Sequence, residues 1–306
     1  MKILITGAGG MLGTDLSSRL SSQHEVLGVG RKPAPHLRIP FQTADVSQPE
    51  TVINLFRSFK PNMVLHAAAM TDVDRCEVER KEALSGNFDA TRLIAEAVNQ
   101  TKGLLTFFST DYVFDGTKTG PYIETDIPHP INIYGETKLL AERYLLIRAR
   151  RFLILRTSWT FGRHGNNFPK KILKQAEAGQ PMEVLSDQIG SPTFTGDLAQ
   201  AVTEMIEMMS QNEKKNENQI YHIANEGQVS RYEFARALLK KRGYPASLVK
   251  PATCKQVKRP ALRPQNSTMS TAKFNEAWGI RLRSWDEALQ SFLQEEEREV
   301  NAKRSA

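Results

Sequence analysis

Hydrophobic and polar positions along the first half of the chain alternate between two periods. KILIT (2–6) is a short apolar run that meets a glycine turn, and MLGTDLSSRL then carries apolar residues at helical spacing. EVLGVG (25–30) predicts a second strand. PETVINLFRSFK (49–60) predicts a helix opened by Pro49 and Glu50. NMVLHAAA (62–69) predicts a third strand, residues 79–101 a long helix, and GLLTFFST (103–110) a fourth strand. YGETKLLAERYLLIRAR (134–150) reads as an amphipathic helix with Leu139, Leu140, Tyr144 and Ile147 on one face, and RFLILRTS (151–158) as a fifth strand. Such alternation predicts an α/β fold, a doubly wound parallel sheet with right-handed crossovers.

After residue 160 the pattern loosens. Pro169, Pro181 and Pro192 interrupt it, helices are expected near 166–179, 196–210 and 230–240, and QNEKKNENQ (211–219) is a polar connector before the strand IYHIA. The expected division is a Rossmann-type cofactor unit of 1–159 plus 191–225, and a smaller substrate lobe of 160–190 plus 226–290. The charged end, 291–306, is expected to fray.

Composition narrows the class. The 306 residues are 40% hydrophobic and 25% charged, and no apolar run reaches the roughly 18 residues of a membrane span, so no membrane association is expected. MKILITGAGG leads straight into a glycine turn and does not read as a secretory signal. Cys76 and Cys254 stand far apart without a CxxC or clustered His, which argues against disulfides and bound metal and for a cytoplasmic setting. The net charge of +7 is interleaved with acids, as in KKILKQAEAG and EEEREV. A basic stripe laced with aromatics is missing, so small anions are better partners than nucleic acid.

ITGAGGMLG sets Gly7, Gly10 and Gly13 between the first strand and the first helix, with Met11 and Leu12 opening that helix. Such a turn brings a pyrophosphate to open backbone N–H groups at a helix N-terminus. An NAD-selective site places an acid after the second strand, whereas this chain reads VGRKP, with Arg31 and Lys32. A guanidinium attracts a 2′-phosphate, so NADPH is the expected cofactor and NADH the second candidate. Asp45 and Val46 are placed to reach the adenine. Ala67, Ala68 and Ala69 either leave room for the cofactor or simply pack.

Tyr134 and Lys138, four apart in YGETK, share one helix face. A phenol with a pKa near 10 is a poor acid–base group at neutral pH, and a cation one turn away is expected to lower it. Thr110 ends the preceding strand and offers a hydroxyl to a substrate carbonyl. Together these groups can polarise a ketone and supply the proton to its oxygen after hydride transfer.

At this point the chain resembles the extended short-chain dehydrogenase/reductase superfamily, whose Ser/Thr-Tyr-Lys triad matches Thr110, Tyr134 and Lys138. It resembles more narrowly the dTDP-4-dehydrorhamnose reductase family, through HAAAMTDVDRCE (66–77), STDYVFDG (109–116), INIYGETK (131–138), RTSWTFG (156–162), DQIGSPTFTGDLA (187–199) and RPQNS (263–267). The resemblance implies NAD(P)H-dependent reduction of the 4-keto group of dTDP-4-dehydro-L-rhamnose. It places Ser109, Tyr134 and Lys138 beside the nicotinamide. It places Thr71, Asp111, Tyr112 and Trp159 at the sugar, and Asn167 and Arg263 at the diphosphate. For Asn167 a helix cap, and for Arg263 a surface salt bridge, are the alternatives. Some members bind magnesium at a dimer contact through a Glu after the glycine loop. Asp15 stands there, so a homodimer is allowed but no metal is expected.

Two other functions fit the same fold. A nucleotide-sugar epimerase or dehydratase is one, but dehydratases carry Asp-Glu after the Thr, and this chain has Asp111-Tyr112. A non-catalytic NADP-binding subunit, resembling the regulatory subunit of methionine adenosyltransferase, is the other.

Overall fold

The computed structural model describes residues 1–211 and 216–304. A seven-stranded sheet forms its centre, entirely parallel, in the spatial order β11-β6-β5-β4-β1-β2-β3. The strands are β1 (Lys2–Thr6), β2 (Glu25–Gly30), β3 (Phe41–Thr43), β4 (Met63–His66), β5 (Leu104–Thr110), β6 (Phe152–Thr157) and β11 (Gln219–His222). Strand order reverses beside β1, where the chain leaves the sheet in opposite directions, and a ligand crevice is expected outside that point. Three two-stranded pairs lie apart from this sheet: β7 (Thr160–Phe161) with β10 (Thr193–Phe194), β8 (Met182–Leu185) with β13 (Val249–Ala252), and β9 (Ile189–Gly190) with β12 (Val229–Ser230).

The helices are α1 (Met11–Leu20), α2 (Pro49–Phe59), α3 (Val73–Val78), α4 (Arg80–Leu84), α5 (Ala90–Asn99), α6 (Ile133–Arg148), α7 (Phe168–Glu177), α8 (Thr195–Gln211), α9 (Arg231–Lys241), α10 (Ala272–Trp278) and α11 (Trp285–Arg304). Because strands buried on both faces need apolar side chains on both, β5 and β6 are buried at every position. One face of the sheet packs on α1 and α8 through Leu16, Leu20, Leu198, Val202 and Met205. The other packs on α2, α5 and α6 through Leu55, Ile94, Val98, Ala141 and Leu145. A third core joins Phe161, Ile172, Phe194, Phe234, Leu238 and Phe292 beyond the carboxyl ends of the strands. Among the described residues, no helix is long and apolar enough to cross a membrane.

Several expectations need correction. The strand expected over 62–69 ends at His66; Ala67–Ala69 continue as irregular chain past the phosphate loop, where Gly7 lacks a side chain, with the Ala67 and Ala68 N–H groups donating to Thr6. The single helix expected over 79–101 is broken into α4, a π-helical turn at Ser85–Asp89, and α5. The wider turn delivers the buried Asn87 side chain inward, where Oδ1 accepts from Met70 N at 2.7 Å and Nδ2 donates to Thr137 Oγ1 at 3.0 Å. On α6 Leu139 of the expected face is buried, but the stripe facing the sheet is Lys138, Ala141, Glu142 and Leu145, and Leu140 and Ile147 are exposed. Polar pairing turned the helix: Lys138 and Glu142 have partners on β5 and β6, and those contacts fix which side faces in.

The expected frayed end is instead helix α11 as far as Arg304. Phe292 and Leu293 sit in the third core, Lys170 pairs with Glu296 at 3.3 Å, and Arg242 pairs with Glu297 at 2.5 Å. Residues 305–306 of that end, and 212–215 of the polar connector, lie outside the described residues.

Candidate active site

The turn between β1 and α1 admits only glycine at two points. A Cβ on Gly7, which has φ +69°, would fall 2.7 Å from Ala68 N, and one on Gly13 would fall 2.2 Å from the Gly7 carbonyl oxygen. Gly10 caps α1 without a side chain, so no side chain satisfies the first-turn N–H groups. They open onto a cavity of about 870 Å³. Gly7, Gly10, Met11, Leu12 and Gly13 line it on one side, with Arg31, Lys32, Asp45 and Val46 at the ends of β2 and β3. Ala67, Ala68, Ala69 and Thr71 follow β4 along its floor, and Ser109, Tyr134 and Lys138 close it. Every residue expected at the cofactor therefore borders one space.

At the end of β5 the backbone turns into a 3-10 segment, Asp111–Val113. Thr110 Oγ1 donates to Asp111 Oδ1 at 3.0 Å and accepts from Tyr112 N at 3.2 Å. Asp111 Oδ2 is buried without a partner. Burial pushes the Asp111 carboxyl up to about 6, against the hydrogen bonds and the Arg231 charge that favour its ionised form. Tyr134 packs edge-on to Tyr112, ring centroids 6.0 Å apart.

Lys138, 2% exposed, holds Nζ 3.9 Å from the centroid of the Phe107 ring. Desolvation lowers its pKa to about 7, opposed by Glu142 one turn along. The expectation that Lys138 lowers the Tyr134 phenol is corrected here. Burial pushes that phenol well above 10, and the group holding it down is the Thr110 hydroxyl. The ammonium instead lies over Phe107, so its charge does not dominate at the phenol oxygen.

Two buried networks support these groups and escaped sequence reading. Glu142 accepts from Ser109 Oγ at 2.5 Å and from Arg156 through Nη2 at 2.6 Å and Nε at 3.0 Å, with both charged residues about 1% exposed. The signal available was an arginine inside the apolar strand RFLILRTS and a Glu four residues after Lys138. The second network runs from Thr6 Oγ1 to His66 Nδ1 at 2.6 Å, from His66 Nε2 to Thr91 Oγ1 at 3.0 Å, and from Thr91 Oγ1 to the Asn87 carbonyl at 2.7 Å. Burial, joined by the Lys138 charge, lowers His66 to about 3, so the ring is neutral.

Of the residues expected at the substrate, Thr71 lines this cavity, whereas Asp111, Tyr112, Trp159, Asn167 and Arg263 do not border it. Arg263 forms a two-pronged pair with Asp74, Nη2–Oδ2 2.9 Å and Nη1–Oδ1 3.0 Å. Asn167 is the N-cap of α7: Oδ1 accepts from Lys170 N at 3.2 Å, and Nδ2 donates to the Gly162 carbonyl at 2.6 Å. Trp159 has φ +44° and packs on Gly190, where a Cβ would lie 2.4 Å from the indole. The guanidinium of Arg231, a residue that sequence reading passed over, covers the indole at 3.5 Å. Asp15 stands 4.0 Å from His164 at the side of α1.

Comparison with known proteins places this arrangement. The family model described as the RmlD substrate binding domain matches residues 1–298. A dTDP-4-dehydrorhamnose reductase of Aggregatibacter actinomycetemcomitans is 38% identical over 297 residues, covering 95% of this chain and 97% of that protein. The spore coat polysaccharide biosynthesis protein SpsK of Bacillus subtilis is 36% identical over 303 residues, covering 96% and 97%. Among solved structures, the dTDP-4-dehydrorhamnose reductase of Bacillus anthracis in complex with NADP superposes with a TM-score of 0.86 at 30% identity, covering 96% of this chain and 99% of that one.

Proposed function

The chain belongs to the RmlD substrate binding domain family of dTDP-4-dehydrorhamnose reductases, and from that premise we propose that it reduces the 4-keto group of dTDP-4-dehydro-L-rhamnose with NADPH, Tyr134 delivering the proton. The observation that carries the proposal is the meeting of Ser109, Tyr134 and Lys138 at the end of the cavity that starts at the glycine loop, next to the Thr110 hydroxyl.

The cavity suits a dinucleotide on its own geometry. Gly7 and Gly13 leave backbone where a Cβ would collide, α1 presents N–H groups without a side-chain cap, and Arg31 and Lys32 offer positive charge where a 2′-phosphate would lie. When bound, the nicotinamide supplies the hydride.

The residues of the chain account for the remaining work. Thr110, its oxygen fixed by the Tyr112 N–H, turns its one hydroxyl proton from Asp111 Oδ1 to the carbonyl oxygen when substrate binds. Tyr134, fully protonated at neutral pH because burial raises its phenol, gives its proton to the oxygen as negative charge develops there. Lys138 places a cation on the same helix face, and its lowered pKa lets it exchange protons near neutrality. Substrate contacts are assigned to Thr71, Asp111, Tyr112, Trp159, Asn167 and Arg263. The lobe of 160–190 and 226–290, extended by α11, closes over the sugar. Tyr112 occupies the place at which a dehydratase carries its Glu, which favours reduction over dehydration.

Purified protein given NADPH and dTDP-4-dehydrorhamnose is expected to oxidise NADPH. Tyr134→Phe is expected to lose on the order of 10²- to 10⁴-fold in kcat while still binding NADPH. Equal rates in the two proteins would remove Tyr134 from the mechanism. A wild type that binds NADPH but consumes none with any keto-sugar would mark a binding subunit.

A further inference from the structure

We propose that Arg231 is a specificity-determining residue that reads the sugar: its guanidinium donates to a hydroxyl oxygen of the sugar, while Asp111 accepts from a neighbouring hydroxyl. This rests on the cleft taking a nucleotide sugar and names the pair of groups that recognises the sugar half.

Arg231 is held in place from three sides. It is the first residue of α9, directly after the capping box in which Ser230 Oγ accepts from Glu233 N at 3.0 Å and the Glu233 carboxylate accepts from Ser230 N at 3.2 Å. Its guanidinium stacks 3.5 Å from the Trp159 ring centroid and 5.1 Å from that of Phe168. Trp159 in turn cannot retreat, because Gly190 fills the space behind the indole.

The charge so placed is only partly used. Among the described residues Arg231 makes no ion pair; its side chain hydrogen-bonds the Tyr112 hydroxyl, and the charges it faces are Asp111 and, as a like charge, Arg259. A guanidinium has five N–H donors, and stacking on an aromatic face uses none of them. Asp111 Oδ1 accepts from the Thr110 hydroxyl; the Ser267 hydroxyl also favours the ionised carboxyl, but Oδ2 is buried with no donor at full hydrogen-bond geometry. A buried carboxylate oxygen without a donor costs free energy unless a ligand fills it.

The two charges do not pair with each other, and the sign of each restricts what can lie between them. An anion is repelled by Asp111 and a cation by Arg231. A neutral polyol satisfies both, one hydroxyl acting as acceptor and its neighbour as donor. The Trp159 ring adds an apolar wall beside them, as a sugar face requires. The preferred ligand is therefore a sugar with adjacent free hydroxyls, fixed next to the Thr110 hydroxyl.

Calorimetry with dTDP-L-rhamnose and with dTDP alone isolates the sugar's share of binding, and needs no turnover. Wild type is expected to bind dTDP-L-rhamnose on the order of 10- to 100-fold more tightly than dTDP. Arg231→Gln is expected to remove most of that increment and leave the affinities for dTDP and NADPH unchanged. Arg231→Lys, which keeps the charge without the planar stack, is expected to retain part of it, and serves as the readout if the Gln variant does not fold. Equal weakening of dTDP and dTDP-L-rhamnose would overturn the proposal in favour of a diphosphate or scaffold role. An unchanged increment in Arg231→Gln, or no increment in wild type, would also overturn it. Loss of NADPH oxidation by wild type with the keto-sugar would refute the reductase reading separately, since the binding comparison still reports on Arg231.

Discussion

Replacing Lys138 by Met tests whether the site holds a charge at the expense of stability. The ammonium is 2% exposed, and among the described residues it makes no ion pair; its contact is the face of Phe107 at 3.9 Å. Burial lowers its pKa from 10.5 to about 7. That difference of roughly 3.5 units corresponds to about 5 kcal/mol at 1.36 kcal/mol per unit. The cation–π contact, worth about 2 kcal/mol when desolvated, is lost in the Met variant, leaving a net gain of about 3 kcal/mol. Because the folded-state pKa lies below the unfolded one, the unfolded chain binds more protons between about pH 7 and 10.5, and stability of the wild type rises with pH through that window. The penalty is complete below about pH 7. Lys138→Met is therefore expected to melt roughly 6 °C higher than wild type at about pH 6, with less than half of that advantage left by about pH 9. Paired thermal melts across pH measure it, since other titrations cancel in the difference. A variant no more stable than wild type at low pH, or an advantage constant with pH, would show that the buried charge is not strained. Reductase activity is expected to fall in the same variant.

Two further outcomes follow from the surroundings of the site. Arg31→Asp is expected to lower the NADPH/NADH ratio of kcat/KM by on the order of 100-fold, replacing a 2′-phosphate partner with a repelling carboxylate; an unmoved ratio excludes Arg31 from cofactor selection. Arg156→Met leaves Glu142 buried with only Ser109 as a donor and is expected to cost about 3–5 kcal/mol, read by urea unfolding, whereas Arg156→Met with Glu142→Leu is expected to recover most of it. Similar losses in single and double variants would mean that the pair does not act as a unit.

What could be read from the sequence depended on how local the signal was. ITGAGGMLG announced its loop because Gly10 and Gly13 answer to the backbone of Gly7 and Ala8 a few residues away, although Gly7 itself makes room for the distant Ala67 and Ala68. YGETK announced its pair because a helix turn puts residues four apart on one side. Thr110 was legible as the last residue of an apolar run. Composition and spacing therefore determined the parallel α/β class, the phosphate loop and the Thr-Tyr-Lys order.

Contacts between residues distant in the chain decided the rest. The apolar letters of α6 suggested the wrong inner face, because Glu142 turns toward Arg156 of β6, and β6 follows the helix without any spacing rule linking the two. Lys138 looked like a partner for the Tyr134 phenol until β5 placed Phe107 beneath it. The charged end reads as a tail in isolation, yet Phe292 and Leu293 find a core built from residues 161–249. Arg231 is one cation among many along the chain, and becomes distinctive only where Trp159, 72 positions earlier, lies flat against it. Local spacing determined which chemistry the chain carries. Tertiary packing decided which charges are buried, how they are paired, and which polar groups meet at the site, since desolvation depends on neighbours that only the fold assembles.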